Sequence, residues 1–585
     1  MKRKMILLSF IFVAVIGFSA FSLSKAEMRK YEESGTLKIK DGVVYALDEE
    51  KKAYYVKDYF ATDELAENAT EIVIAGEIDG VPVKAVSPDY LFNESYPGVD
   101  LITVGEGVEY IGEKAFSALD GVKKIRLPET VTEIGKGAFS EMESLTEVTL
   151  PSAVTVISDD MFLSCPRLLT VNIGGKITSV GAYAFAGCHR LASFEIPESI
   201  NFIGEAAFRS AGLINLYIPA GVSFSGDRRM YSCFKGCTSL KRVEFENRKD
   251  ESFVVNEYFF SGCSALEEVV LPDAKEIIIC EGAFENCEDL KTLTNTERIT
   301  GIGSRAFYNC GFEKMFLPAD ILFENKESGD ASVSVFENCH KLKTVIFETR
   351  EKTENFILPE KMFKDCTVLS RVMLPLTEGE IIISAGAFDG CNAFLGAYNT
   401  APVSFIGEGA FSGCSSLEVF VLPEKVTVLP DNAFDGCRRL INVYLHENIT
   451  EIGKGAFNKC EKLTDIYYEG TAEQYAALKK SGMGQHKSKV RPDSSYYPLL
   501  RNVKAETSHT RARLIWDEDS KADGYRVYTI DGTLLKKEAD ITATEYTFTG
   551  LTPGQEYSFS VRSYYMEKGK KVLGPQKEIV TVTAE

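Results

Sequence analysis

A phenylalanine returns along this chain at near-constant intervals: Phe116, Phe139, Phe162, Phe185, Phe208, Phe234, Phe260, Phe284, Phe307, Phe336, Phe363, Phe388, Phe411, Phe434 and Phe457. Eight of the fourteen steps are 23 residues and the others run from 24 to 29. A period of this size is the mark of a solenoid, in which the longer steps are loop insertions in a fixed coil. A repeat array also answers the problem of length, since 585 residues are too many for one compact core.

The copy that starts at Ile406 reads IGEGAFSGCSSLEVFVLPEKVTVL. Cys414 follows Phe411 by three residues, Leu417 follows by three more, and Phe420 and Leu422 then alternate up to Pro423. The same spacing recurs as Leu168, Val171, Ile173 and as Leu440, Val443, Leu445. That alternation predicts a short strand with its apolar residues inward. Proline at its end, as at Pro128, Pro151, Pro197, Pro272 and Pro375, stops further pairing. Pairs such as Ile134-Gly135, Ile203-Gly204 and Ile452-Gly453 mark a turn into the next coil. Each large side chain contributes roughly 1.5–3 kcal/mol when buried, while ordering the backbone costs about 1–2 kcal/mol for every residue. A lone coil therefore does not fold, and neighbours that share buried faces do.

The motif A-F-x-x-C-x-x-L-x-x-V-x-L-P resembles that of the BspA-like leucine-rich repeat proteins of bacteria and some protists, over about residues 69–470. Ala211-Gly212-Leu213 and Cys310-Gly311-Phe312 are copies one residue short, and a worn copy surrounds Phe92. Ile72 to Val86, with Asp79-Gly80-Val81-Pro82-Val83, resembles the opening coil of that family. The resemblance implies a secreted or surface-exposed array used in adhesion to host matrix proteins or other cells. It carries over no functional residues, because every repeated position is structural.

The ends read differently. Lys2, Arg3 and Lys4, an apolar run from Met5 to Phe21, and Ser24-Lys25-Ala26 have the form of a signal peptide over residues 1–26. Residues 27–88 then form an N-terminal cap and opening coil, and the repeats occupy 89–470. The run Thr471 to Leu478 predicts a capping helix, with Thr471 as N-cap, Gln474 completing a capping box and Gly482 ending it. Residues 471–497 are assigned to that helix and a polar linker. Residues 498–585 resemble a fibronectin type III module: Trp516 stands where that fold keeps a core Trp, and Leu551-Thr552-Pro553-Gly554 before Tyr557 looks like its tyrosine corner. The expected fold is thus a β-rich solenoid of about fifteen to sixteen coils followed by a small all-β sandwich.

Twelve of the fourteen cysteines fall three residues after the repeat Phe, where Leu119, Met142 and Ala211 stand in other coils. A position shared with Leu, Met and Ala wants a compact apolar group, so buried free thiols are expected. Cys233 and Cys280 take other repeat positions. No C-x-x-C pair supplies a zinc site, the five His are dispersed, and no nucleophile, phosphate-loop or calcium-loop motif occurs. The sequence therefore predicts no enzyme and no cofactor. A formal charge of -20 argues against nucleic acid, and no second apolar run inserts into a membrane once the signal is removed.

The candidate ligand site lies on the outward residue of each strand. Early coils hold Arg126, Thr149, Asn172 and Glu195 there, whereas later coils hold Phe316, Ile346, Met373, Tyr398, Val421, Tyr444 and Tyr467. Adjacent strands align these seven in a stripe, and exposed stripes of that kind mark interaction surfaces. Strand propensity or coverage by the C-terminal module explains the same residues without a ligand. The functional expectation is a secreted or cell-surface adhesin-like protein that recognises an extracellular protein or glycan through the strand face. The alternative is a non-binding spacer of the cell surface.

Overall fold

The structure is a computed structural model that describes residues 37–59, 70–87, 98–225, 232–324, 333–348, 355–375, 377–398, 403–480, 489–492 and, beyond 502, all but 509, 520–521, 532–533, 568, 575–578 and 584–585. The signal-peptide segment 1–26, Phe92 and Gly482 lie outside the described residues. The fold is a β-solenoid followed by antiparallel sheets, with almost no helix among the described residues. It divides into two compact units, Met1–Cys188 and His189–Glu585.

In the first unit an antiparallel meander of Leu37–Lys40, Val43–Asp48 and Ala53–Tyr59 leads the chain in. Its last strand pairs in parallel with Val81–Val86, which pairs with Tyr110–Ile111 and then Glu133–Ile134. The meander thus covers the open end of the array, which a solenoid requires. Tyr45 seals it from inside: fully buried, its hydroxyl accepts the Ala75 N–H at 2.9 Å. The strand face of this unit runs Glu71–Ile74, Leu101–Val104, Lys124–Arg126, Glu147–Leu150 and Thr170–Ile173, all parallel.

The second unit repeats the plan. Strands such as Lys314–Pro318, Thr344–Glu348 and Arg371–Met373 form the strand face. After the proline turn, shorter strands such as Phe356–Leu358, Ile381–Ile383 and Val403–Ile406 form a second sheet. On a third side the turn carrying each repeat Phe is bonded coil to coil, as where Phe411 N–H donates to Ala433 O at 3.0 Å. Two glycines show why the turn has its sequence. Gly413 has φ +70°, which favours glycine. At Gly407 an added Cβ would stand 2.4 Å from the Ala385 backbone nitrogen of the preceding coil.

Two columns fill the interior. The repeat Phe rings are buried and stack at 5.4–6.0 Å between centroids in each unit, for example 5.4 Å for Phe388–Phe411 and 5.5 Å for Phe411–Phe434. The cysteines form the second. All fourteen are free, and all but Cys280 are buried. Their role exceeds the apolar filling expected from sequence: each column thiol donates to the carbonyl of the repeat Phe one coil earlier, as in Cys165 to Phe139 O at 3.0 Å, Cys366 to Phe336 O at 3.0 Å and Cys460 to Phe434 O at 3.1 Å. Burial pushes the Cys165 and Cys460 thiols up to about 12 and raises Cys391 and Cys414 well above the ordinary value.

The C-terminal end departs from the expected boundary in two respects. The helix is Ala472–Ala477, capped by Thr471 with both capping-box bonds to Gln474. It is shorter than expected because Lys479–Lys480 turns into the second sheet beside Glu451–Ile452. Lys489–Arg491, expected to be linker, pairs with Asp465–Tyr467 as a last strand of the strand face. Its polar composition suits a sheet edge, where charged side chains discourage further pairing.

The module beyond is two antiparallel sheets. Lys504–Ser508, Arg511–Ile515 and Glu545–Thr549 form one. Leu534–Ile541, Gly524–Asp531 and Glu556–Glu567 form the other, with Lys570–Leu573 and Ile579–Thr583 both paired along Glu556–Glu567. Trp516 packs edge-on against Tyr525 at 5.4 Å in a core with Val527, Phe559 and Val561. The Tyr557 hydroxyl accepts the Thr552 N–H at 2.9 Å, which closes the tyrosine corner.

Candidate functional site

Sheet register places the outward residues in columns. Phe316 is opposite Ile346, Ile346 opposite Met373, and Met373 opposite Tyr398; further along, Val421, Tyr444 and Tyr467 are successive partners. Phe316 is 39% exposed, with the Lys314 ammonium 4.5 Å from its ring centroid. Ile346, Met373 and Val421 are half-buried, and the Tyr398 side chain lies outside the described residues. Tyr444 and Tyr467 are only 2% and 4% exposed, their rings stacked at 4.7 Å. The two aligned groups thus have two environments: open at Phe316, sealed at Tyr444 and Tyr467.

The seal is the C-terminal module. The Arg371 guanidinium donates to Ser558 Oγ at 2.8 Å, and the Tyr444 hydroxyl reaches Leu573 O at 3.5 Å. Burial raises the Tyr444 hydroxyl far above its ordinary value, with Tyr565 and Arg562 among the groups acting on it. The Tyr467 hydroxyl is raised first by burial and then by a hydrogen bond to Tyr565. No sequence signal marks Arg371, Ser558 or Leu573. Ser558 lies 187 residues from Arg371, and each is an ordinary strand residue.

From Arg126 onward, the outward positions of the earlier strands are polar apart from Tyr217 and Val270. In the first unit Arg126, Thr149 and Asn172 are exposed, and Asn172 donates to Thr149 Oγ1 at 3.3 Å. In the second unit Glu195 is exposed, and Tyr217, Glu244 and Val270 follow before Phe316. Arg242 bridges Glu244 at 2.6 Å and Glu268 at 2.9 Å, which leaves this stretch with an excess of negative charge.

The second sheet carries apolar outward residues too. Leu322 is 63% exposed, Ile357 54% and Phe405 53%. Where Gly301 interrupts such a column between Ile278 and Leu322, a shallow cleft of about 200 Å³ opens, with Cys280 and Glu281 at its edge. Among the described residues no group of three His, Cys, Asp or Glu side chains is placed to hold a metal ion. No described helix is long and apolar enough to cross a membrane.

The profile of the BspA type Leucine rich repeat region (6 copies) matches residues 88–215, 156–274, 230–328, 253–394 and 381–477, and that of the Fibronectin type III domain matches residues 498–578. No curated protein matches the chain. Among solved structures, a leucine-rich repeat protein from Bacteroides ovatus is 22% identical with a TM-score of 0.53, over 78% of this chain and 99% of the other. A leucine rich cell surface protein from Faecalibacterium prausnitzii is 19% identical with a TM-score of 0.28, over 76% and 97%. A structure described as FN3tt is 24% identical with a TM-score of 0.13, over 15% and 91%.

Proposed function

The chain belongs to the BspA-type leucine-rich repeat family and ends in a fibronectin type III domain, and from that premise we propose that it is an exported, cell-surface binding protein that takes an extracellular protein or glycan on the open part of its strand face. The observation that supports this reading most is the uncovered end of the apolar column. Phe316 stands exposed beneath the Lys314 ammonium, with Ile346 and Met373 half-buried beside it. Aromatic side chains at the centre of a flat apolar patch are the commonest energetic anchors of interfaces, and a nearby cation adds orientation. The two matched families are repeat and module types of the binding class, which fits a non-catalytic role.

The test is a binding screen of residues 27–585 against extracellular matrix proteins and glycans, followed by Phe316→Ser with Ile346→Ser on whatever partner is found. We expect a loss of affinity of about tenfold or more, since anchor residues each contribute above ~1 kcal/mol, with circular dichroism unchanged. Full retention of affinity removes the open column as the binding site. No binding to any component favours the spacer reading.

A further inference from the structure

The module meets the solenoid through the strand Glu556–Glu567 and the end of its neighbour Lys570–Leu573. Ser558, near one end of Glu556–Glu567, is bonded to Arg371; Tyr565, near the other, reaches Tyr467. From Ser558 to Tyr565 an extended strand spans about 23 Å, and the four coil steps from Arg371 to the Tyr467 strand span about 19 Å. The strand therefore crosses the coils at a steep angle and runs along the outward column. Its Phe559 and Val561 point into the module core, so by alternation Ser558, Ser560 and Arg562 point the other way. Ser560 is fully buried and Arg562 6% exposed, with Arg562 Nε committed to Gly574 O at 2.9 Å. The covered residues are thus met by Ser558 at Arg371, by the Arg562 guanidinium near Tyr444 and by the Tyr565 hydroxyl at Tyr467, where the strand end brings its other side round.

Contacts between domains of one chain separate unless they are large and apolar, and a hydroxyl-to-carbonyl distance of 3.5 Å at Tyr444 is at the weak limit of a hydrogen bond. Tyrosine and arginine, the residues being covered, are those that most often anchor a partner.

We infer that the docked module is a built-in occupant of the strand face: it withholds Tyr444 and Tyr467 from solution and engages Arg371, and a protein partner that takes them displaces it with a β-strand of its own laid across the coils, offering a hydroxyl to Arg371 and a phenol to Tyr467. This rests on the reading of the strand face as a binding surface. It divides that surface into an open part at Phe316 and Ile346 and a closed part that opens when the module leaves.

The test uses the whole chain. Ser558→Arg places two cations together at the Arg371 contact and releases the module; adding Arg371→Glu reverses the charge and restores docking. Tetranitromethane, which modifies accessible tyrosine rings, reads the state of Tyr444 and Tyr467, while Trp516 fluorescence reports that the module stays folded. We expect these two tyrosines to react roughly tenfold or more faster in Ser558→Arg than in the unaltered chain, and to be protected again in the double variant. Equal reactivity in all three, with Trp516 fluorescence unchanged, overturns the inference. The same three proteins go through the matrix-protein and glycan screen. Binding gained on release supports the inference. Binding of equal strength in all three overturns it and leaves the binding function standing, and binding in none overturns both.

Discussion

The two sheets of the second unit share one interior and differ outside. On the strand face the outward column ends in Tyr444 and Tyr467, almost wholly buried under the module. On the second sheet Ile357 and Phe405 align with Ile382 between them, and more than half the surface of each of the two stays exposed. The lesson is that an apolar outward column is what strand propensity produces in either sheet. What distinguishes one column from the other is the residue type and what lies against it: hydroxyl-bearing aromatics with a neighbouring arginine on one side, plain aliphatics and a lone phenylalanine on the other.

The comparison is broken most severely from within, through the interior that both sheets share. The buried thiols stay protonated in the fold, whereas unfolded thiols ionise from about pH 8.5. Above that pH the unfolded chain binds fewer protons than the native one, so stability falls as pH rises. The loss is about 1.4 kcal/mol per pH unit for each raised thiol and continues towards the folded values, about 12 for Cys165 and Cys460. Both sheets should therefore melt together between about pH 9 and 11. Far-UV circular dichroism against pH, with iodoacetamide uptake in parallel, measures this. A spectrum unchanged at the upper end with thiols unreacted shows that the column does not govern stability.

Phe411→Ala comes next, at about 3–5 kcal/mol, because its ring stacks on Phe388 and Phe434 and supports both sheets. Hydrogen exchange should show the loss spreading equally to Val403–Ile406 and Val419–Val421. Loss confined to one sheet contradicts a common interior. The smallest effect sharpens the contrast itself: Ile357→Ser with Phe405→Ser should lower the unfolding free energy measured by denaturant titration by no more than about 1 kcal/mol. A cost several times larger means that something covers the second sheet as the module covers the first.

The repeat, the coil order and the module were legible because each rests on local pattern. Phe411, Cys414 and Leu417 announce their inward positions by spacing alone, and Thr471 with Gln474 announces its capping box. Lys489–Arg491 was not legible, since a polar edge strand has no alternation and takes its place only by pairing with Asp465–Tyr467. The thiol donors were hidden for another reason: Cys shares its position with Leu and Met, and nothing in one coil shows the Phe carbonyl that the next coil's thiol will meet. The candidate stripe was visible as composition, but its division into open and covered parts depends on Arg371 meeting Ser558, a contact between separate folding patterns.

The thiol-to-carbonyl ladder has a consequence for how such a chain changes over time. Because each Cys of the column reaches back to the Phe of the previous coil, a whole coil added or removed within the array leaves each remaining column thiol a carbonyl of the same kind at the same distance. The number of coils is then free to drift by duplication or deletion without any compensating substitution inside. The last coils are different, since Arg371, Tyr444 and Tyr467 must keep their spacing to match two paired strands of the module. Growth and shrinkage of the array should accordingly be tolerated ahead of Arg371 and resisted between Arg371 and Tyr467, which makes the middle coils the place to insert or excise a unit when the protein is re-engineered.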